Sequence, residues 1–575
     1  MSTWGTRRII DLLRGLTRVY HRRKYGALAR QMGRPGISPD GRRGFIIIQI
    51  DGLAYDHLLV AMEAGHLPYL NRMVSEGRLA LTPWNSGLPS TTPAVQAAIM
   101  FGNREDVPGF RWYEKERGLA VVTKRPDQVQ ALQARLKENR VGILIGGSSY
   151  VNMFDGDADL ALFTLSAFHP QRFFESVRGA GLLLLFLFSP LRLLQVLRRT
   201  VAGYLRALGW RLTALLRRSV FKPYDLLSPL MATAINTLFT EVQTFGVILD
   251  IYRCVPSIYT NYNTYDEVAH QVGPTHRAAF AALRDIDRHI RQIDRTRQRH
   301  RDREYDLYIL SDHGNTPSVP LSWEIGQSLG HFIAAQLGEK TSLDEVFGRP
   351  GYALAKARYL VDEMRGLEQQ VPPTVRRVLC ALRHYVDRRV PTDPEAEGYD
   401  LERREDVVVR VSGPLAHVYF NVAPRRLDLI EVGFLYPHLL DRLMQTDAIG
   451  LVVGRVGERT MALGPGGGSA VIAGGPPEIT PPNPLTPYGE PERVARQIHR
   501  LVGFPHSGDL ILMGNVRPDG RVVTFEEQVA THGGLGGVQE QAFIARPPTV
   551  NLGSVEGPED LHRLFVERYL GNASG

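Results

Sequence analysis

The chain has 575 residues, a length that exceeds one small core and predicts several domains or one large α/β domain with insertions. Hydrophobic residues make up 43% and charged residues 22%, a composition that excludes a disordered chain. Two cysteines, Cys254 and Cys380, exclude a disulfide framework and a cysteine-rich zinc site. The formal net charge of +8 is small for this length, so the local distribution of charge is more informative.

The N-terminal segment, residues 1–43, is rich in arginine. Its apolar residues between Ile9 and Tyr20 recur at helical spacing, which predicts a basic amphipathic helix. Two interpretations stay open, a helix packed on the main domain and a helix that lies on a membrane surface. The segment lacks the continuous apolar core of a secretory signal, and no stretch of the chain reads as a full transmembrane helix. We therefore expect a location in the cytoplasm or on the cytoplasmic face of a membrane.

Two predicted strands end in an acid. Residues 45–50 are apolar and mostly β-branched except for Gln49, and they lead into Asp51 and Gly52. This pattern predicts a buried strand, and in open α/β sheets ligands bind outside the carboxyl ends of the strands. An Asp-Gly pair by itself is usually only a turn. The pattern recurs, however, where the predicted strand 305–311 leads into Asp312 and His313, so both acids and the histidine are candidate metal ligands.

A helix start follows the first of these strands. Thr92 and Pro93 precede an alanine-rich run that ends at Gly102, which predicts a helix with Thr92 as its N-cap. An isolated Thr-Pro pair is in most cases only a cap. A hydroxyl at a helix N-terminus can also act as a nucleophile beside a metal, because the free N–H groups and the helix dipole favour a phosphate and a developing alkoxide.

The composition changes in residues 176–224, which contain no Asp or Glu and nine Lys or Arg. Residues 182–188 are wholly apolar but too few for a membrane span, which needs about 20 apolar residues. Leucines and one valine between positions 194 and 208 form one helical stripe, and Arg192, Arg199 and Arg206 form another. The pattern predicts an inserted amphipathic hairpin that either lies on an anionic membrane or buries its leucine face on its own domain.

Three further candidate ligands occur later in the chain. Asp266 and His270 are four residues apart and share one face of a helical turn, so they can bind one cation together. His532 is followed by glycines that would let the backbone approach a ligand. Between these motifs, the glycine- and proline-rich residues 464–487 predict a loop or lid rather than a core element.

In this order the motifs resemble the alkaline phosphatase superfamily, in its type I phosphodiesterase/nucleotide pyrophosphatase branch. The motifs are Asp51-Gly52, residues 90–94 with the predicted helix that follows them and ends at Gly102, Asp266 to Pro274, residues 311–314, and His532 to Gly534. The resemblance implies an α/β fold with an alkaline-phosphatase-like doubly wound sheet, helices on both faces and two insertions. The predicted segments are a basic N-terminal segment (1–43), a catalytic core in three parts (44–175, 241–337 and 501–575), a basic helical insertion (176–240) and an inserted cap or lid (338–500).

The resemblance also implies two divalent metal ions, zinc or alternatively manganese. The residues implied for one ion are Asp51, Thr92, Asp312 and His313, and those implied for the other are Asp266, His270 and His532. Three aspartates offset three of the four positive charges, and the remaining charge favours a Thr alkoxide and a phosphoryl oxygen. Because the histidines must be neutral to bind metal, we expect activity to fall below a pH of about 6.5.

Two questions stay open at this stage. Thr92 is the predicted nucleophile because it lies ten residues before Gly102, as in the family, but Thr91 has the family's one-residue gap before proline. Nucleotide pyrophosphatases carry an Asn after the nucleophile helix, whereas residues 108–113 contain none, which argues against a nucleotide substrate. The Cys/Ser-x-Pro-x-Arg motif of sulfatases is also missing.

The resemblance implies a metal-dependent phosphoric ester hydrolase that acts through a Thr nucleophile and a two-metal site. One alternative is a lipid headgroup phosphohydrolase or phosphotransferase at a membrane surface. Another is a non-catalytic membrane-surface binding protein on the same fold. The expected partners are a phosphate ester and an anionic membrane surface, with no nucleic acid polymer.

Overall fold

The computed structural model describes residues 42–167, 186, 190–216, 227–300, 302–338, 341–346, 376, 377, 380 and 405–571. Two predicted features fall almost wholly outside these residues: the N-terminal helix and, apart from Phe186, the apolar run 182–188. They stay predictions.

Strands and helices are interspersed along the described chain, and runs of consecutive strands occur in its C-terminal half. The strands are β1 (Gly44–Ile50), β2 (Ala80–Asn85), β3 (Arg111–Glu114), β4 (Leu119–Val122), β5 (Ser148–Tyr150), β6 (Leu160–Leu162), β7 (Ser257–Tyr262), β8 (Tyr305–Leu310), β9 (Thr316–Pro320), β10 (Leu343–Val346), β11 (Val407–Ser412), β12 (Leu415–Phe420), β13 (Ile449–Val456), β14 (Arg459–Leu463), β15 (Ser469–Ile472), β16 (Glu478–Thr480), β17 (Leu510–Gly514), β18 (Val522–Thr524), β19 (Ala530–Thr531) and β20 (Gln541–Arg546). The α-helices are α1 (Tyr55–Glu63), α2 (Pro68–Ser75), α3 (Thr92–Phe101), α4 (Pro126–Leu136), α5 (Pro190–Leu216), α6 (Leu227–Arg253), α7 (Thr264–Val272), α8 (Arg277–Arg299), α9 (Leu321–Ile325), α10 (Leu329–Leu337), α11 (Leu429–Leu435), α12 (Leu439–Met444), α13 (Pro491–Gly503) and α14 (Pro558–Phe565).

The main sheet has the order β2-β20-β8-β1-β7-β5-β6. The strands from β8 to β6 run parallel, whereas β20 is antiparallel to both of its neighbours. Central strands of such a sheet are buried on both faces, which is why β1 is apolar at nearly every position. Its residues Ile46, Ile48 and Ile50 pack into one core with α1, α2, α6 and α8, and the alternate residues Phe45 and Ile47 pack into a second core with α3, α4 and α14. The predicted α/β fold with helices on both faces is confirmed.

A second sheet has the order β10-β11-β12-β17-β13-β14-β15-β16 and is antiparallel except for the β10–β11 pair. β17 lies between β12 and β13, although residues 510–514 follow the predicted cap segment 338–500. Helix α6 likewise runs through residue 240, the predicted end of the first insertion. The division of the chain into segments stays a prediction.

One expectation about the second sheet is wrong. Residues 464–487 were expected to form a loop or lid, yet they contain β15 and β16 at the edge of this sheet, with Ala470 and Ile472 buried. One of the glycines permits a close approach of backbones, because a Cβ added at Gly468 would lie 1.9 Å from the carbonyl oxygen of Pro482. Composition alone cannot distinguish glycines of this kind from the glycines of a mobile loop.

Candidate active site

The carboxyl ends of three adjacent parallel strands form the floor of the site. In the register of the sheet, Gln49 of β1 lies opposite Asn261 of β7 and Leu310 of β8. Asp51 therefore emerges beside Asn261, and Asp312 emerges two residues beyond the end of β8. Asp51 and Asp312 are buried, at 4% and 0% exposure. Sheet order thus brings together acids that are 261 positions apart in the sequence.

Thr92 begins helix α3 and points into this floor. Its Oγ1 lies 3.1 Å from His313 Nε2 and 3.4 Å from Asp51 Oδ1. The helix starts one residue earlier than predicted, so that Thr91, and not Thr92, occupies the N-cap position, without a side-chain cap hydrogen bond. The Thr91 hydroxyl is buried and has no hydrogen-bond partner among the described residues. Gly102 ends the helix in the left-handed conformation, as predicted.

The other predicted residues lie beside this floor. Asp266 and His270 are on helix α7, where His270 Nε2 lies 3.2 Å from Asp266 Oδ2. The side chain of Asp266 is 16% exposed and that of His270 is 18% exposed. His532 directly follows β19, and its ring stacks on that of His313 at 3.7 Å between centroids. The site is therefore closed by the sheet below and partly open at α7.

Among the described residues, two groups at this site have ligand atoms within 4.8 Å of one another. One group is Asp51, Asp312 and His313, and the other is Asp266, His313 and His532. His313 thus belongs to both groups, whereas the resemblance implied it for only one. His270 belongs to neither group, but its Nε2 lies 3.2 Å from Asp266, which is a member of the second group. Either group offers the carboxylate oxygens and imidazole nitrogens that zinc binds.

The histidine rings are oriented by backbone carbonyls. The Nδ1 atoms of His270, His532 and His313 lie 2.7, 2.9 and 3.2 Å from the oxygens of Ala530, Ser90 and Gly314. These contacts assign a proton to each Nδ1, because a carbonyl oxygen can only accept. Burial lowers the pKa of His313 to about 4 and that of His532 to about 3, so both rings are neutral at pH 7. Their unprotonated Nε2 atoms consequently face carboxylates.

The buried carboxylates repel one another. Burial, together with the charges of Asp312 and Asp266, raises the pKa of Asp51 well above its usual range. Burial also raises the pKa of Asp312 to about 7, although the Gly52 N–H donates to its Oδ1 at 3.3 Å. Burial would raise the pKa of Asp266 as well, but the adjacent His270 outweighs it and lowers that pKa. Such a concentration of acids favours a bound cation.

Two asparagines that the sequence reasoning missed hold the carboxylates in place. The Nδ2 of Asn261 donates to Asp51 Oδ2 at 2.7 Å, and the Nδ2 of Asn315 donates to Asp266 Oδ1 at 2.7 Å. Each could have been found from its position, because Asn261 is near the end of a strand beside β1 and Asn315 lies three residues after Asp312. Gly52 leaves room for this arrangement: its φ is +68°, and a Cβ there would lie 2.4 Å from Asp266 Oδ1.

Comparison with known proteins agrees with the geometry. Residues 236–405 match the family model described as type I phosphodiesterase / nucleotide pyrophosphatase, a range that includes Asp266, His270, Asp312 and His313. This match confirms the family resemblance and the enzyme class, a hydrolase acting on phosphoric ester bonds. No curated protein matches the sequence.

Solved structures of hydrolases resemble this chain more weakly. Phosphonoacetate hydrolase from Sinorhizobium meliloti 1021 in complex with phosphonoformate is 15% identical, with a TM-score of 0.38 over 93% of this chain and 99% of that chain. Murine ectonucleotide pyrophosphatase/phosphodiesterase 5, an inactive form in complex with AMP, is 9% identical, with a TM-score of 0.42 over 92% and 95% of the two chains. Similarity at this level carries no information about substrate.

Proposed function

We propose that this protein is a metal-dependent phosphoric ester hydrolase with Thr92 as its nucleophile. The observation that carries the proposal is the convergence of one hydroxyl, three carboxylates and two neutral imidazole nitrogens at the ends of β1 and β8. A hydroxyl becomes a nucleophile only when its surroundings stabilise the alkoxide, and this cluster supplies both a proton acceptor and ligands for positive charge. Thr91 lacks such contacts.

The residues suit two divalent ions. Asp312 Oδ2 is buried and has no hydrogen-bond partner among the described residues, which is costly unless a cation faces it. The lone pairs of His313 Nε2 and His532 Nε2 point toward carboxylates 3.3 to 3.7 Å away, an arrangement that a cation would turn from repulsive to attractive. We propose that Asp51, Asp312 and His313 hold one ion with Thr92, and that Asp266, His270 and His532 hold the other. Zinc is the expected metal and manganese the alternative.

The side chains give the reaction a defined geometry. Asn261 fixes Asp51 Oδ2, so Asp51 Oδ1 faces the Thr92 hydroxyl and can accept its proton. The Thr92 oxygen then forms a bond to phosphorus while the ester oxygen leaves, and water displaces Thr92 from phosphorus in a second step. The free N–H groups at the start of α3 favour the charge on the phosphoryl oxygens. Bound divalent ions would favour the Thr92 alkoxide and offset the charge on phosphorus.

The first test is a comparison of substrates on the zinc- and manganese-loaded protein. We expect hydrolysis of a chromogenic phosphodiester. Phospholipids and nucleotides should be assayed side by side, because residues 108–113 carry no Asn and helix α5 has an exposed apolar face, both of which favour a lipid headgroup ester as the second candidate. A metal-loaded, folded protein that hydrolyses no phosphoester would contradict the proposal, and faster hydrolysis of nucleotides would reject the lipid candidate.

The affinity for metal should depend on pH through His270. Burial lowers the pKa of His270, but the Asp266 carboxylate outweighs this effect and raises the pKa to about 9. A cation bound at Asp266 and His270 must displace that proton, so apparent affinity should rise by up to about tenfold per pH unit from pH 7 to 9 and then level off. Protons should therefore compete with the metal for His270 at pH values above 6.5, the pH below which the sequence predicts a loss of activity.

Calorimetric titration with zinc at pH 7, 8 and 9, in buffers of different ionisation enthalpy, measures both the affinity and the protons released. His270→Gln is the control, and it should bind metal more weakly but with a flatter pH dependence. An affinity of the unaltered protein that is constant from pH 7 to 9 would show that His270 is not a ligand.

A peripheral location on the cytoplasmic face of a membrane also stays a proposal. No helix among the described residues is long and apolar enough to cross a membrane. What supports a surface location is the exposed face of helix α5.

A further inference from the structure

Helix α5 exposes a row of large apolar side chains. Leu194, Leu197, Val201 and Leu205 recur at intervals of three or four residues and are exposed by 62%, 61%, 47% and 61%. We call these four residues the α5 stripe. At such spacing they share one face of the helix. A helix of a globular domain normally turns such a face toward the core, so a contiguous exposed row marks a contact surface.

The opposite side of α5 is the one that packs on the protein. Val196 packs against the core that includes α6 and α8, and Thr200 is buried. Arg199 forms an ion pair with Glu241 of α6 and also contacts His289 of α8. These contacts fix the rotation of α5 about its axis. The α5 stripe therefore faces away from the domain because the other side of the helix is already engaged.

The charge around the stripe identifies its partner. Residues 176–224, which contain α5, carry nine Lys or Arg and no Asp or Glu. Arg198 lies beside the stripe and is exposed. A basic segment with an apolar row is attracted to anionic headgroups and gains free energy when the row enters the boundary with the acyl chains. We propose that the α5 stripe docks on an anionic phospholipid surface.

The docking surface is close to the candidate active site. Asn236 of α6 donates to Glu267 of α7 at 2.8 Å, and α7 carries Asp266 and His270. Asn236 lies five residues, or about 7.5 Å along the helix, from Glu241, which binds α5. One helix, α6, thus separates the docking helix α5 from α7 at the open side of the site. The proposal does not depend on the hydrolase activity.

Vesicle flotation tests the docking of the full chain. Vesicles of mixed phosphatidylglycerol and phosphatidylcholine should carry the protein upward at low salt, pure phosphatidylcholine vesicles should carry much less, and high salt should release it. Leu197→Glu combined with Leu205→Glu should lower the bound fraction at least tenfold. Phe434→Glu is the matched control, because Phe434 of α11 is 85% exposed but remote in the fold, and it should float like the unaltered protein.

The outcomes are distinct. Melting temperature checks that the double variant is folded, and Leu197→Ser with Leu205→Ser replaces it if that temperature falls. The proposal is wrong if the unaltered protein stays in the soluble fraction, if it binds neutral vesicles equally well, or if Phe434→Glu loses as much binding. It is also wrong if light scattering shows that the unaltered protein is a dimer and that the double variant is a monomer, because the α5 stripe would then be a contact between two copies of this chain.

Discussion

Replacement of Thr92 by Ala should lower kcat toward phosphoesters by about 10³-fold or more, the largest single effect that the site predicts. The substitution removes the oxygen that lies 3.1 Å from His313 Nε2 and 3.4 Å from Asp51 Oδ1, and with it the bond to phosphorus. Because the Thr92 hydroxyl contacts Asp51 and His313 and not the backbone of its own helix, α3 should be little affected. Steady-state kinetics, with rapid-quench detection of phosphorus bound to the protein, measures the loss.

Thr91→Ala is the matched control for this substitution. The two threonines are neighbours at the start of α3, but the Thr91 hydroxyl has no hydrogen-bond partner among the described residues. We therefore expect Thr91→Ala to retain kcat within a small factor and to form the phosphoprotein. Full activity in Thr92→Ala together with a large loss in Thr91→Ala would exchange the two assignments. Retention of activity in both variants would reject a Thr nucleophile.

Removal of metal should abolish activity and destabilise the folded protein. Three carboxylates then share one site, and the pKa of Asp51 and Asp312 is raised by burial and by the neighbouring acids. A ligand present at 100 times its dissociation constant stabilises the native state by about 2.7 kcal/mol per site. Chelation should therefore lower the melting temperature, and zinc should restore it. Scanning calorimetry and metal analysis measure both effects.

Asp312→Asn should remove about half of this response to metal, the part that comes from the ion held by Asp51, Asp312 and His313. The variant loses the charge of an oxygen that has no hydrogen-bond partner among the described residues, so without metal it should be no less stable than the unaltered protein. When metal is added, it should gain only the stabilisation from the second ion. Asp287→Asn is the control, since Asp287 is a buried acid that accepts hydrogen bonds from the backbone N–H groups of Tyr69 and Leu70. It should lose stability but keep the full metal response. An equal metal response in Asp312→Asn would show that Asp312 binds no ion.

Local sequence patterns predicted much of the fold. The largely apolar runs before Asp51 and Asp312 are strands because a strand that is covered on both faces favours apolar side chains at most positions. The interval between Asp266 and His270 places them on one face of α7, since a helical turn has 3.6 residues. Composition misled in residues 464–487, where Gly468 permits a close approach of backbones beside β15 and does not mark a mobile loop.

The sequence by itself determined which residue types occur at strand and helix ends, and hence the candidate ligands. Only the tertiary structure decided how they group: His313 lies 3.1 Å from Thr92, 221 positions earlier, and belongs to both ligand groups, whereas His270 reaches them through Asp266. It also placed the hydroxyl of Thr92, and not that of Thr91, beside His313 and Asp51, and it left the α5 stripe exposed. The physical reason is that local pattern records the conformation and polarity of a segment, whereas distances between remote segments depend on strand order and on which side of each helix is already packed.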